Sequence, residues 1–469
     1  MKPFPYAIFR AYDIRGKVSV LTPEIVCAIA QALAEQFIAT QVKRIVIGYD
    51  ARLSSPSYAQ IIQQVCTDVG IDAVLMGCCS SPMLYFAARQ CQGNGIMVTA
   101  SHNAKCDNGI KWLLQGEPAT PEMIQNIAQR AEVFYQQNGQ CDLIQLNHIH
   151  QLPALFSTDY QMALQHDIHL KQKFKIVLDA MHGSAGRYAV SVLQALGCEV
   201  IALRCEPNGH FPDHAPDPSQ EKHLGQLQAA ILRHQAHVGI ALDGDGDRLV
   251  LLDEQANIIR ADRLMALFAA MTLKEKPQHE VVFDVKCSSL VRQRIEQHQG
   301  VPVMIRTGSS FLRRYLAQSQ GRAIFGGEYA GHYVFNDGRG LGYDDGLYAA
   351  LRVLEYLAEL NQPLSHLMQD YPATYGTEDL YLSTHELDAQ VVLAHVRQQS
   401  QQFSAKLSEI DGIRLDFEDG FGIIRASNTG EFFTLRFDAR SEDRLQEIRQ
   451  LFIAMLAPYR ALARDLEQA

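Results

Sequence analysis

Nowhere does the sequence carry an apolar run approaching the roughly 20 residues that a bilayer-spanning helix requires. Its opening, Met1-Lys2-Pro3-Phe4-Pro5, has no signal-peptide apolar core. A cytoplasmic protein with no membrane partner is expected. Positive charge is also scarce. The formal net charge of −10 argues against nucleic acid as the main partner, so an anionic ligand would need locally clustered lysines and arginines. The ten cysteines (Cys27, Cys66, Cys78, Cys79, Cys91, Cys106, Cys141, Cys198, Cys205 and Cys287) contain no CxxC pair. Most sit in apolar runs and read as reduced core residues, with Cys106 the candidate for exposure.

What is present is ordinary globular material, 47% hydrophobic and 20% charged. A chain of 469 residues exceeds a single core and implies three or four domains. Strands at 44–50, near 73–75 and at 95–98 alternate with helices over 23–37 and about 57–69, and a helix near 121–137 closes the set. That alternation implies parallel βαβ units. A second set has strands at 174–179, 198–203 and 238–242, and a third has strands at 281–285, 303–306 and 323–328. A long helix from Asp344 to Asn361 follows. The last portion differs: a strand at 380–382, a helix over 389–407, strands at 413–415, 422–424 and 432–437, and a helix over 442–456. The expected fold is therefore α/β: three successive mixed-sheet domains of similar topology plus a C-terminal α+β domain, around a central cleft. The expected divisions are 1–150, 151–254, 255–365 and 366–469, the last read as a mobile clamp behind a proline-containing linker.

Two stretches carry the chemistry. The first apolar run, Gly95-Ile96-Met97-Val98, empties into Thr99-Ala100-Ser101-His102-Asn103, followed by Lys105, Asp107, Asn108 and Lys111. Ser-His-Asn in a loop is by itself ordinary turn or cap chemistry. A serine becomes a nucleophile when a neighbouring base or metal takes its proton. The second stretch, Asp243-Gly244-Asp245-Gly246-Asp247-Arg248, could supply that metal: three glycine-spaced carboxylates repel one another unless a cation lies among them. An EF-hand reading fails, because its sixth position, which needs glycine, is Arg248, and the flanking segments read as strands. The arginine suggests a metal and a phosphate handled together. A donor-rich loop, Arg425-Ala426-Ser427-Asn428-Thr429-Gly430, is a candidate phosphate cradle.

In this order and spacing, FRAYDIRG (9–16), TASHN (99–103), DNGIK (107–111), DGDGDR (243–248), FDVK (283–286), GEYAGH (327–332) and RASNT (425–429) make the whole chain resemble the α-D-phosphohexomutase superfamily. Within it the chain looks most like the bacterial phosphomannomutase/phosphoglucomutase branch. The resemblance implies an isomerase that interconverts hexose 1-phosphates and 6-phosphates, of mannose and glucose. The route would run through a phosphoserine at Ser101 and a hexose 1,6-bisphosphate that turns over in the cleft. Mg²⁺ would be held by Asp243, Asp245, Asp247 and an oxygen of Ser101. His102, Lys111, Arg15, Arg248 and His332 would complete the catalytic set. Tyr12, Lys286, Glu328, Ala330, Arg425, Ser427, Asn428 and Thr429 would line the phosphosugar. The chain departs from the pattern at Ala104 (usually proline), Ser309 (often histidine) and Ala330 (usually serine). The last two bear on sugar choice and leave the phosphoryl-transfer groups complete. Alternatives are phosphoglucosamine mutase-like specificity, a metal-dependent sugar phosphatase, and a non-catalytic sugar-phosphate sensor. The phosphoglucosamine branch usually has a TDGIRG-like opening and an SGTEP-like final loop, and this chain has neither. Product identity separates a mutase from a phosphatase, and a sensor would lack a catalytic group. A monomer is expected.

Overall fold

The computed structural model describes residues 3–137, 155–371, 374–427 and 430–469, without the side chains of 155–157. It divides into two compact units, Met1–Arg260 with Ala330–Leu367, and Ala261–Tyr329 with Met368–Ala469.

The first unit holds two sheets of one design. Strands Gly95–Val98, Arg44–Tyr49 and Asp72–Cys78 lie side by side and parallel, and Asp107–Leu114 adds antiparallel beside Gly95–Val98. In the second sheet Val238–Leu242, Lys175–Asp179 and Glu199–Leu203 repeat that arrangement, with Leu249–Leu252 antiparallel on Val238–Leu242. In both, the third strand in sequence lies beside the first, and its C-terminal end opens into a polar loop. The strands read as continuous apolar runs because parallel strands are covered on both faces; Val238–Leu242 and Gly95–Val98 are buried throughout. Tight turns then throw Ser101 and the three aspartates off the C-terminal ends of two such strands.

In the second unit Ala323–Gly327, Glu280–Asp284 and Val301–Ile305 form a third parallel set in the same order. The C-terminal strands Leu380–Ser383, Ile413–Phe417, Gly420–Ala426 and Phe432–Ala439 pair antiparallel, as an α+β domain requires. Two buried arginines tie this sheet to the third one. Arg414 donates to the carbonyls of Val285 (2.5 Å) and Cys287 (2.8 Å), and Arg436 donates to the carbonyl of Lys286 and pairs with Asp262 at 3.2 Å. The C-terminal domain is thus packed into one unit with the third sheet.

Three details differ from expectation. The helix expected over 389–407 ends at Ser400, and Lys406–Ser408 is a strand paired with Arg414–Asp416. Ser400 turns its hydroxyl onto the Arg397 carbonyl, the local bond by which serine competes with helix continuation. The strand Ile258–Ile259 pairs with Leu251–Leu252, so the second sheet runs past residue 254. Cys27 is disulfide-bonded, whereas the other eight described cysteines are free and Cys106 is exposed; burial in an apolar helix does not by itself set redox state. No described helix is long and apolar enough to cross a membrane.

Candidate active site

Ser101 is buried, with φ at 51°. Its hydroxyl donates to Asp243 Oδ2 at 2.7 Å and lies 3.2 Å from His102 Nδ1. The two loops meet because the glycines between the aspartates permit close approach. A side chain at Gly244 would strike the Ser101 carbonyl and Pro216, and Gly246 adopts φ 73°. From the start of the helix Ser81–Ala88, Ser81 fastens the acidic loop by donating to Asp245 through its amide (2.9 Å) and its hydroxyl (2.6 Å).

The carboxylates of Asp243, Asp245 and Asp247 are buried and each offers an oxygen within 4.8 Å of the others. Burial raises the Asp243 carboxyl well above its ordinary range, and the charges of Asp247 and Asp245 raise it further. Burial would raise Asp245 too, but Lys111 and Ser81 hold it low. Lys111 Nζ lies 2.9 Å from Asp245 Oδ2 and 3.0 Å from Asp247 Oδ2. Those charges outweigh its burial and keep the ammonium protonated well past the usual lysine range. Asp245 Oδ1 and Asp247 Oδ1 accept no hydrogen bond among the described residues. A buried, oxygen-only set with unused acceptors, in which one carboxyl is driven toward protonation, fits a small hard cation.

Cations ring the hydroxyl. Arg248 donates through Nε to His332 Nε2 (3.0 Å), which leaves the imidazole proton on Nδ1 facing Asp344 at 2.8 Å and Asp247 at 3.5 Å. Burial lowers the His332 pKa, but Asp247 and Asp344 raise it more. Arg15 bridges Asp13 (2.5 Å) and the Asn103 side chain (3.0 Å), with Tyr12 half-buried alongside. For His102, burial and the charges of Arg248, Arg15, His332 and Lys111 all push the same way, well below 6.5, so its ring is neutral. A neutral imidazole beside a hydroxyl can accept its proton; a lysine held protonated cannot, and stabilises negative charge instead.

The second unit gathers the other expected residues. Glu328 is buried and accepts from the Gly308 amide at 2.5 Å. Lys286 pairs with Asp379 at 2.7 Å, and Arg425 with Asp411 at 3.0 Å. Asp411 also accepts from the Thr307 amide at 3.1 Å, so the turn Thr307–Gly308 links Glu328 to Arg425. Ser427 and Ser309 are half-buried, whereas Asn428 and Thr429 lie outside the described residues. The division between units falls after Tyr329, placing Glu328 in the second and Ala330 and His332 in the first. Sequence reasoning missed Ser81, Asp344, Asp379 and Asp411, since polar residues outside a motif carry no spacing signal. Asp13 lay within the quoted opening motif without an assigned role.

A buried hydroxyl against a carboxylate cluster, at the strand ends of repeated parallel sheets, is an arrangement able to serve group transfer. Family models for phosphoglucomutase/phosphomannomutase alpha/beta/alpha domains I, II and III match residues 7–137, 158–256 and 260–375. A phosphomannomutase/phosphoglucomutase of Pseudomonas syringae is 35% identical over 465 residues, covering 99% of this chain and 97% of that protein. A phosphoglucomutase of Neisseria meningitidis is 37% identical over 455 residues, covering 96% of each. The crystal structure of a phosphoglucomutase/phosphomannomutase family protein from Burkholderia thailandensis aligns with a TM-score of 0.85 at 32% identity, covering 96% of this chain and 97% of that one. The chain belongs to the phosphoglucomutase/phosphomannomutase family and is accordingly a mutase, an isomerase by class.

Proposed function

We propose that the enzyme interconverts the 1- and 6-phosphates of glucose and mannose, with Ser101 carrying the phosphoryl group and a hexose 1,6-bisphosphate as intermediate. The observation that carries this reading is the Ser101 hydroxyl, 2.7 Å from Asp243 and 3.2 Å from a neutral His102. Mg²⁺ held by Asp243, Asp245, Asp247 and an oxygen at Ser101 would, when bound, neutralise charge on the transferring phosphoryl group.

The chain's own residues then divide the work. His102 Nδ1 takes the Ser101 proton when the serine accepts a phosphoryl group. Lys111 stays protonated and stabilises the negative charge that develops, as do Arg248 and Arg15. Asp344 holds His332 with its Nε2 toward Arg248, fixing that guanidinium beside Asp243. Arg425 and Lys286, each paired with one carboxylate, exchange that partner for the non-reacting phosphate. Such a remote clamp gives binding energy in both orientations of the bisphosphate. Glu328 accepts from sugar hydroxyls common to glucose and mannose.

The test is a coupled assay with glucose 1-phosphate and mannose 1-phosphate, with and without added glucose 1,6-bisphosphate. Hexose 6-phosphate should accumulate, and intact mass should show a phosphorylated fraction that Ser101→Ala abolishes. Release of free sugar and inorganic phosphate, or phosphate mapped to another residue, would refute the reading.

A further inference from the structure

The loop 101–107 lacks helix and strand until Asp107 begins the next strand, and Ser101 occupies a left-handed conformation unfavourable to an L-residue. Such a loop does not hold a hydroxyl in place by its own preferences. Ala104, at its centre, has neither a restricting ring nor a polar side chain.

One side chain outside the loop supplies the restraint. Arg52 is buried and donates to four loop carbonyls: Nη1 to Ala104 (2.6 Å) and Asp107 (3.0 Å), Nη2 to Ser101 (2.8 Å) and Asn103 (2.7 Å). Its remaining donor, Nε, meets Asp50 Oδ2 at 3.0 Å. The same carboxylate oxygen accepts from the Thr99 hydroxyl at 2.7 Å, and Thr99 Oγ1 in turn accepts from the Ser101 amide at 2.8 Å. Ser101 is therefore gripped at both backbone polar groups, its carbonyl by Arg52 and its N–H by Thr99, and both grips converge on Asp50. Phe211 closes the outside, its ring centre 5.5 Å from the guanidinium.

We propose that Arg52 is a positioning residue for phosphoryl transfer, setting the rotational position of the Ser101 hydroxyl through the loop backbone; this rests on the reading of Ser101 as carrier. A flat fork of five N–H donors suits four converging carbonyls and a carboxylate, and a lysine ammonium with three donors does not. A misplacement of about 1 Å in such a group costs on the order of a hundredfold in rate, and substrate contacts remote from the loop are left intact.

The test compares Arg52→Lys, Thr99→Val and Thr99→Ser in the full-length, Mg²⁺-loaded enzyme. Arg52→Lys should lower kcat about a hundredfold and Thr99→Val about tenfold, with KM for glucose 1-phosphate within about twofold of the parent. Thr99→Ser, which restores the hydroxyl, should recover to within about threefold. Amide hydrogen exchange across 99–107 should quicken in the first two variants alone. If Arg52→Lys does not fold, the Thr99 pair decides. Unchanged kcat in Arg52→Lys or Thr99→Val, or a loss confined to KM, overturns the proposal. If the parent enzyme itself fails to convert hexose phosphates, the carrier reading falls and the positioning role with it, and the exchange comparison then judges only the restraint of the loop by Arg52 and Thr99: unchanged protection overturns that restraint, and lost protection upholds it.

Discussion

Phosphorylating Ser101 would remove the O–H that Asp243 now accepts at 2.7 Å, leaving two acceptors face to face in a buried site. The lost hydrogen bond to a charged group is worth about 1.5–3 kcal/mol. One added unit of negative charge at about 4 Å from a carboxylate costs about 4 kcal/mol at an effective dielectric constant near 20. Proton uptake by Asp243, already favoured by burial and by Asp247 and Asp245, relieves part of this, as do the neighbouring charges of Lys111 and Arg248. A cooperative unit of about 300 residues shifts by about 1.6 °C per kcal/mol, so the phosphorylated form in chelator should melt about 4–8 °C below the unphosphorylated one. Mg²⁺ should close the gap by taking the place of the missing proton. The assay is thermal unfolding of both forms, prepared with and without glucose 1,6-bisphosphate and verified by intact mass, in chelator and in Mg²⁺. A phosphorylated form that melts at or above the unphosphorylated one in chelator would refute the reasoning.

Three further outcomes are expected. Lys111→Met should lower kcat at least a hundredfold, since one oriented charge donor is typically worth about 10²–10³; steady-state kinetics with retained near-ultraviolet circular dichroism checks it, and a pure KM effect would contradict the role. Arg425→Ala should reduce kcat/KM for glucose and mannose 1-phosphates by similar factors, because the phosphate is common to both, whereas a loss restricted to one sugar would move Arg425 to the hydroxyls. Asp345, whose carboxyl burial pushes up to about 6 despite its hydrogen bonds from the Tyr348 amide and Tyr160 hydroxyl, costs stability once ionised. With an unfolded value near 3.9, that cost grows as pH rises from about 4 to about 6 and is full above, at most about 3 kcal/mol. Asp345→Asn keeps an acceptor for the Tyr348 amide and turns its NH2 to the Tyr160 hydroxyl oxygen, which can accept; it should raise the urea midpoint at pH 7.5 while changing it little near pH 4, and destabilisation at both would sink this account.

The site was legible where chemistry imposes spacing. Asp243, Asp245 and Asp247 betray themselves because only a cation and glycine turns reconcile three adjacent carboxylates, and Ser101 because an apolar strand ends there. Residues that work through a neighbour left no such trace. Asp344 and Asp411 are carboxylates in loops with no motif around them, and Arg52 sits in an ordinary turn, its four carbonyl partners 49–55 residues away. For the fold, the alternating sheets were readable because buried parallel strands are continuous apolar runs. The helix Ser81–Ala88 was not, since it is buried on nearly every side and offers no amphipathic period. The third and C-terminal sheets looked separable in composition, but the arginines that join them, Arg414 and Arg436, lie inside strands and resemble any exposed strand arginine.

The centre around Ser101 draws on positions from Arg15 to Asp344, and this spread orders events during synthesis. The first sheet and its Arg52-held loop are complete once Leu114 has emerged, but the acidic loop comes much later and Asp344 later still. At about 5–20 residues per second, roughly 10–50 s separate the emergence of the Ser101 loop from that of Asp344. The cluster around Ser101 is therefore complete only as a late event of synthesis, because its members come from positions as far apart as Arg15 and Asp344.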